Sequence, residues 1–154
     1  MKNLEIYESY PLINEQNLNE VERQLGIELP DDYRNFLLSH NGGSPKLNIF
    51  PIAGDIIGNR GMLNRFLCIQ EGDDDDMRVY VQTYQDRVPL NLLPIAYDPG
   101  GNLICLSVDG LDKGKVYFWT HEEECEEGES PSYNNIYFVA NSFNDLINSL
   151  TDLE

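Results

Sequence analysis

The sequence predicts an α+β fold in a single domain over residues 1–154, with helices packed on an antiparallel or mixed sheet. Two patterns of helical periodicity open the chain, short apolar runs separated by turn residues follow from Leu47, and a further helical pattern closes it. Helices grouped before and after a run of strands are typical of α+β proteins. With 154 residues and 41% hydrophobic content, the chain is long enough for one core and short for two.

The first helix is predicted to begin at Asn17 and to end at Gly26. Asn17 is followed three residues later by Glu20, as in a capping box. Glycine readily adopts the left-handed conformation that closes many helices. The elbow at residues 26–28 then leads into a second helix, so we expect a helical pair near the N-terminus. The apolar positions of the first helix recur at helical spacing: Leu18, Val21 and Leu25.

The second helix is predicted within residues 29–43, where start, interior and stop signals agree. Pro30 suits the first helical turn, and two aspartates follow it where carboxylates meet the positive end of the helix dipole. Asn41, Gly42 and Gly43 are expected to end the helix, and Pro45 prevents its continuation. One face of this helix is apolar and carries Tyr33, Phe36, Leu37 and His40.

The middle of the chain has weaker patterns. Residues 47–52 form a candidate strand in which Pro51 must lie at the end or on an edge, and residues 54–61 are predicted as a loop. Residues 64–70 favour a strand over a helix. The acidic run at 71–76 is predicted to be solvated and to cap a helix at 77–87.

The second half predicts three successive antiparallel strands, at residues 92–97, 102–108 and 115–121. The middle strand is apolar on both sides of its pleat, so we expect it to be central and covered on both faces. An acidic loop at 122–131 and a last strand at 136–140 follow. Ser142 is expected to cap a C-terminal helix whose apolar stripe is Phe143, Leu146, Ile147 and Leu150.

The charge of the chain narrows the class of partner. Asp and Glu total 27 against 10 Lys and Arg, a formal charge of −17, and neither Lys nor Arg occurs after Lys115. Such a field repels phosphate, so neither direct nucleic-acid binding nor membrane binding is expected. It favours either solubility alone or a basic protein partner. Because neither a leader peptide nor a spanning segment is recognisable, a cytoplasmic location is expected.

The sequence offers little for catalysis or for cofactor and metal binding, and none of the three is expected. His40 and His121 are the only histidines, and neither lies in a catalytic motif. The residues after His121 place neighbouring side chains on opposite sides of an extended chain, which does not make a metal shell. The aspartate run lacks the spacing of a calcium loop. Cys68 and Cys105 lie in apolar runs, and with Cys125 they suggest neither a disulfide framework nor a zinc site.

Aromatic residues give a different indication, since Tyr, Phe and Trp make up 10% of the chain. Most must be core, but tyrosine or tryptophan beside carboxylates is the combination that anchors a basic protein partner. Those in or beside predicted strands and loops are Tyr80, Tyr84, Tyr97, Tyr117, Trp119, Tyr133 and Tyr137.

Three strings of this sequence resemble the Smi/Knr-type domains of the SUKH superfamily. The first is E-x-x-L-G-I-x-L-P-x-D-Y-R-x-F-L at residues 22–37, followed by N-G-G at 41–43; the others are LLPIAYDPGGNLICLSV at 92–108 and KVYFWTHE at 115–122. The similarity spans about residues 18–150, and residues 56–88 match no part of the pattern. The positions that carry the resemblance are Leu29, Pro30, Tyr33, Phe36, Leu37, Asn41, Gly42, Gly43, Gly100, Gly101 and Trp119.

The resemblance implies an α+β fold and a binding function without a catalytic motif. Bacterial members are taken to be immunity proteins that neutralise co-encoded polymorphic toxins, many of them nucleases, and fungal relatives act as regulatory scaffolds. A nuclease is basic where it grips phosphate, so an acidic inhibitor surface suits it. Three hypotheses follow: an immunity protein for a basic toxin domain encoded nearby, a protein-interaction or regulatory scaffold module, and an enzyme or small-ligand binder. The predicted partner-binding residues are Asp73, Asp74, Asp75, Asp76, Glu122, Glu123, Glu124, Glu126 and Glu127.

Overall fold

A five-stranded antiparallel sheet forms the centre of the computed structural model, which describes residues 4–53, 60–124, 126 and 128–152. The strand order is β5-β6-β7-β8-β9, as expected for the α+β class. The helices are α1 (Glu15–Leu25), α2 (Asp31–Ser39), α3 (Met77–Thr83) and α4 (Phe143–Ser149). The strands are β1 (Ile6–Tyr7), β2 (Ser44–Pro45), β3 (Ile49–Pro51), β4 (Arg60–Met62), β5 (Arg65–Phe66), β6 (Leu92–Tyr97), β7 (Leu103–Ser107), β8 (Val116–Trp119) and β9 (Ile136–Ala140).

The middle strand β7 is central and covered on both faces, which confirms the prediction from its apolar pattern. Every residue of β7 is buried. Its two sides enter two clusters: Ile104 and Leu106 join the main core, whereas Leu103 and Cys105 join a smaller cluster with Trp119. The main core also contains the apolar stripes of α1, α2 and α4. We call the sheet side toward these helices the inner face and the opposite side the outer face.

Two small sheets complete the architecture, and of their strands only β3 was predicted, within residues 47–52. Strand β1 pairs with β2, and β3 pairs with β4. Pro51 is the last residue of β3, at the strand end that its missing N–H permits. The predicted loop at 54–61 is wrong at its end, because Arg60 and Gly61 belong to β4; residues 54–59 lie outside the described part of the chain.

The first helix starts earlier than predicted. Its N-cap is Asn14, whose side chain accepts from the Asn17 backbone N–H while the Asn17 side chain accepts from the Asn14 N–H, both at 2.9 Å. Asn17 is therefore the third residue of the helix and not its cap. An asparagine oxygen can occupy the position usually taken by glutamate in a capping box, which is why the local pattern was misread. Gly26 closes the helix with φ 67°, as predicted.

The second helix ends in a joint built on Asn41. The side chain of Asn41 is fully buried and donates to the carbonyl oxygens of Pro11 at 2.8 Å and Ile69 at 3.0 Å, while its oxygen accepts from the Ile69 N–H at 2.8 Å. Gly42 and Gly43 follow with φ values of 72° and 115°. The N-G-G string thus ties α2 to the N-terminal segment and to the chain after β5. At the other end, Pro30 is the N-cap and not a first-turn residue.

The remaining helices agree with prediction in position. Ser142 caps α4 by accepting from the Asp145 N–H, and the predicted stripe of α4 is buried. Asp76 caps α3 as expected, but α3 ends at Thr83 and not at Arg87. β-Branched and aromatic residues in this segment lower its helix propensity, which is consistent with the shorter helix.

Candidate protein-binding face

The outer face of the sheet carries a continuous row of aromatic side chains from β6, α3 and β8. Tyr97 stacks on Tyr80 with ring centroids 5.8 Å apart and planes 3° apart. Tyr80 stacks on Tyr84 at 5.8 Å, and Tyr84 meets Trp119 edge-on at 5.5 Å. We call these four residues the aromatic row. They lie together because the outer side of β6, β7 and β8 is covered by α3 and the segment after it.

One end of the aromatic row is anchored by carboxylates and an arginine. The Tyr97 hydroxyl donates to Asp75 Oδ1 at 3.2 Å, and Arg65 Nε lies 3.2 Å from Asp75 Oδ2. The Arg65 guanidinium also stands 5.3 Å above the Tyr10 ring, whose hydroxyl donates to Asp73 at 2.9 Å. Burial and the neighbouring Asp75 carboxylate raise the pKa of Tyr97 to about 12, so this hydroxyl stays protonated and remains a donor.

The other end of the row is held by Arg87. Its Nε and Nη2 donate to the two oxygens of Glu124 at 2.9 and 2.7 Å, the forked geometry that carboxylates favour. The same guanidinium lies 4.5 Å from the Tyr84 ring centre and 5.6 Å from that of Trp119. Trp119 Nε1 donates to the Arg87 carbonyl at 3.3 Å. The start of the acidic loop after β8 is therefore fixed to the segment that follows α3.

The structure thus brings together two acidic segments that are far apart in sequence. Asp75 lies at one end of the aromatic row and Glu124 at the other, linked through Tyr97, Tyr80 and Tyr84. We call the aromatic row with residues 73–76, 124 and 126 the acidic face. Glu122 and Glu123 instead line a depression with Ile52 and Phe118 of the main core. Trp119 is fully buried and Tyr80, Tyr84 and Tyr97 are half-buried, so the row supports this face from beneath and only parts of its tyrosines reach the surface. Tyrosine edges flanked by carboxylates are chemically suited to a basic protein partner.

The prediction that residues 71–76 are fully solvated is wrong for three of the four aspartates. Asp73 and Asp75 are half-buried in the contacts described above, and Asp76 is only 2% exposed. Arginines and tyrosines from other elements supply the partners that make this burial possible. Asp74 is exposed, as predicted, together with Glu71.

Asp76 is a structural carboxylate. It accepts from the backbone N–H groups of Gln70 and Arg78 at 2.7 and 2.8 Å, and from the Arg78 guanidinium at 2.8 Å. Burial by itself raises the pKa of Asp76, but these hydrogen bonds to the charged form outweigh burial and leave the pKa below its usual value.

The predicted carboxylates after β8 have different roles. Glu122, Glu123 and Glu126 are exposed, and Glu123 also accepts from the Tyr137 hydroxyl at 2.8 Å. Glu124 is half-buried and bound to Arg87. Residues 121–123 form a short 3-10 turn, so the predicted strand at 115–121 is wrong at its end: β8 stops at Trp119 and His121 belongs to the turn. Glu127 and Cys125 lie outside the described residues.

Gly100 and Gly101 lie in a turn organised by the Asp98 side chain. Asp98 Oδ1 accepts from the N–H groups of Gly100 and Asn102 at 2.9 and 2.7 Å, and Gly101 adopts φ 91°. The His121 Nε2 lies 2.9 Å from the Gly100 carbonyl oxygen. The left-handed conformation of Gly101 favours glycine in the β6–β7 turn, whereas a Cβ at Gly100 would make only ordinary contacts.

The two described cysteines are buried thiols. Burial raises the pKa of the Cys68 thiol to about 12 and that of Cys105 further, so both stay protonated. Among the described residues, no three His, Cys, Asp or Glu side chains are grouped to hold a metal ion. Within the same ranges, each helix is too short or too polar to cross a membrane.

Comparison with known proteins shows which family the chain belongs to. The sequence profile of the SMI1 / KNR4 family (SUKH-1) matches residues 12–149. The chain belongs to the SMI1/KNR4 (SUKH-1) family. It is also 32% identical over 159 aligned residues to the SPbeta prophage-derived uncharacterized protein YokK of Bacillus subtilis (strain 168), with 93% of this chain and 78% of the relative covered. The SUKH resemblance is confirmed, and the family includes toxin immunity proteins.

Sequence reasoning missed the cations that organise the face of this SUKH-1 chain. Arg65, Arg78 and Arg87 each bind a carboxylate that was predicted to meet a partner. A signal existed for two of them, because Arg78 follows Asp76 by two residues and Arg87 follows Tyr84 by three. For Arg65, ten residues before Asp75, and for Tyr10, no local pattern indicated the contact.

Proposed function

We propose that this protein is an immunity protein that binds and neutralises a co-encoded toxin domain, and that it acts by binding and without catalysis or a cofactor. The observation that carries the proposal is the acidic face, where half-buried tyrosines lie between carboxylates, on a chain with a net charge of −17. Family membership supports the same class of function.

The physical argument concerns how such a face recognises a basic surface. Tyrosine contributes a large contact area at low entropic cost and is enriched among the residues that dominate binding energy in interfaces. Exposed carboxylates steer a basic partner into place and raise the association rate. A nuclease active-site groove is basic because it holds phosphate, so a nuclease toxin is the partner that this face suits best.

The carboxylates of the face have two proposed roles. Asp74 and Glu126 are exposed on the acidic face and are assigned to contact with the partner. Asp75, Asp76 and Glu124 are assigned to holding the face in shape, because arginines of this chain already bind them.

The test is co-expression with the toxin domain encoded beside this gene. Cells that express the toxin should survive only when this chain is present, and the two proteins should elute as one complex from a sizing column. A toxin from an unrelated locus is the control and should not be neutralised. Absence of both protection and complex formation would reject the immunity function. Capture of several unrelated proteins without protection would instead support a regulatory scaffold.

A further inference from the structure

A long surface groove lies beside the acidic face, between the elbow that joins α1 to α2 and the segment after α3. Its volume is about 1140 Å³. One wall is formed by residues 25–28, and the other by residues 85–86, residues 89–91 and Pro131. It continues into a second depression of about 720 Å³, with which it shares Asp86, Ser130 and Pro131.

The groove combines an apolar position with an excess of carboxylates. Leu90 is 89% exposed on its wall, and a small apolar notch of about 60 Å³ adjoins this leucine and is also lined by Val81 and Val88. Exposed carboxylates of Asp86 and Asp109 lie on the same lining. An isolated exposed leucine is ordinary, but one set in a groove next to an apolar notch offers a seat for an apolar side chain.

The two cations of the groove lining are already bound to carboxylates of this chain. Arg23 binds Glu20 in the preceding turn of α1, and Lys113 Nζ lies 3.4 Å from Glu28 Oε1. Lys113 and Glu28 come from opposite sides of the groove, on the β7–β8 turn and on the elbow. Their side chains are 40% and 84% exposed, so water screens the pair and it is readily exchanged.

We propose that this groove receives a basic segment of the protein partner, in which one large apolar side chain is flanked by lysine or arginine. The apolar side chain packs on Leu90 and the notch, and the flanking cations reach Asp86 and Asp109. One of these cations replaces Lys113 beside Glu28. The identity of the partner rests on the proposed function, whereas the chemistry of the segment rests on the groove.

The first experiment measures binding of a fluorescent synthetic peptide in which one leucine is flanked on each side by two lysines. We expect Leu90→Ser and Asp86→Lys each to weaken binding several-fold, and Lys113→Gln to strengthen it about threefold because a competing cation is removed. A companion peptide with serine in place of leucine should bind the wild-type protein more weakly. The fold should persist in all three variants, since Leu90, Asp86 and Lys113 are exposed.

Matched controls separate the groove from general electrostatics. Leu12→Ser changes an exposed leucine outside the groove, and Asp31→Lys changes an exposed aspartate at the start of α2. Both should leave binding near the wild-type value. An equal loss in the controls, no effect of Leu90→Ser, or no peptide binding at all would overturn the proposal.

A second experiment repeats the series with the co-encoded toxin domain. If the wild-type chain binds the toxin and the groove variants bind it equally well, the groove is not the toxin-binding site and the proposed immunity function stands. If the toxin does not bind the wild-type chain, the immunity function fails, and the peptide series still decides whether the groove holds a basic segment.

Discussion

At the scale of single residues, the buried Tyr33 hydroxyl destabilises the core. The Tyr33 side chain is fully buried against Phe36 and Phe143, and its hydroxyl has no hydrogen-bond partner among the described residues. A buried polar group without a partner loses hydration and gains nothing in return. The ring is therefore required for packing, whereas the oxygen is not.

We expect Tyr33→Phe to leave the free energy of unfolding unchanged or to raise it by up to about 1 kcal/mol, because the unpaired hydroxyl is removed and the ring is kept. Tyr33→Ala should cost about 3–5 kcal/mol, as expected for loss of a buried aromatic ring. Urea denaturation of both variants measures the difference. A clear loss of stability in Tyr33→Phe would show that the hydroxyl has a stabilising partner.

Asp76 provides a prediction of pH dependence. Its pKa is lower in the folded protein than in the unfolded chain, so ionised Asp76 stabilises the fold. This contribution to the free energy of unfolding is fully present above the unfolded pKa of about 3.9 and is lost as the pH falls through the folded pKa. We expect Asp76→Ala to cost about 1–3 kcal/mol at pH 7, because two N–H groups and Arg78 lose their acceptor.

The pH series checks this assignment. The stability difference between wild type and Asp76→Ala should shrink as the pH is lowered below about 4. Asp74→Ala, an exposed position in the same run, should change stability by less than about 0.5 kcal/mol at pH 7. A difference for Asp76→Ala that does not vary with pH would contradict the role of the ionised carboxylate.

At the scale of elements, the N-G-G joint requires glycine for space as well as for backbone conformation. A Cβ at Gly43, where φ is 115°, would lie 2.7 Å from the Tyr7 carbonyl oxygen. Gly72 also has a positive φ, of 85°, but a Cβ there meets nothing within 4 Å among the described atoms. The two glycines therefore share the conformational requirement and differ in the steric one.

We expect Gly72→Ala to cost about 1 kcal/mol, the usual cost of a left-handed conformation for a residue with a Cβ. Gly43→Ala should cost clearly more, about 2 kcal/mol or above, because β1 must also move away from the joint. Thermal or urea denaturation compares the two. Equal losses would mean that the β1 backbone accommodates the methyl group without strain.

The Arg87 contact tests how one side chain connects two elements. In Arg87→Gln, the acidic loop loses its forked contact at Glu124, and Trp119 loses a cation from its surroundings. Trp119 is the only tryptophan of the chain, so its fluorescence reports this site directly. We expect a changed emission spectrum and faster amide exchange in residues 120–131, with α2 unaffected.

Arg23→Gln is the matched control for Arg87→Gln. Arg23 is exposed and binds only a neighbour within α1, so its loss should change neither the tryptophan emission nor amide exchange after β8. If Arg87→Gln also leaves both unchanged, Arg87 does not hold the loop.

At the scale of the whole molecule, the position of the charges matters more than their sum. Asp74 and Glu126 are exposed on the acidic face, whereas Asp31 and Asp145 are exposed on α2 and α4, on the inner side of the sheet. Reversing either pair to lysine changes the net charge by the same amount. A partner that docks on the acidic face distinguishes the two double variants.

We expect the double variant Asp74→Lys and Glu126→Lys to slow association with the co-encoded toxin about tenfold at low salt and to weaken its salt dependence. The double variant Asp31→Lys and Asp145→Lys should change the rate much less. Stopped-flow measurements at several salt concentrations compare them. Equal effects in both variants would mean that only the total charge steers the partner.

The sequence by itself determined the order of the main elements, the central place of β7 and the family. Periodicity, capping residues and turn residues act between near neighbours, so the glycine at the end of α1 and the Ser142 cap of α4 were readable locally. The small strands β1, β2 and β4 were not, because such short strands carry too few residues for a pattern.

Only the tertiary structure decided which carboxylates face outward and which hold the fold. Asp75 meets Tyr97 across 22 residues, and Glu124 meets Arg87 across 37. These hydrogen bonds depend on the pairing of β6, β7 and β8 and on the placement of α3 over them. A run of acidic letters has the same composition whether it is solvated or bound, so the sequence predicted an acidic surface but not the aromatic row that joins its two ends.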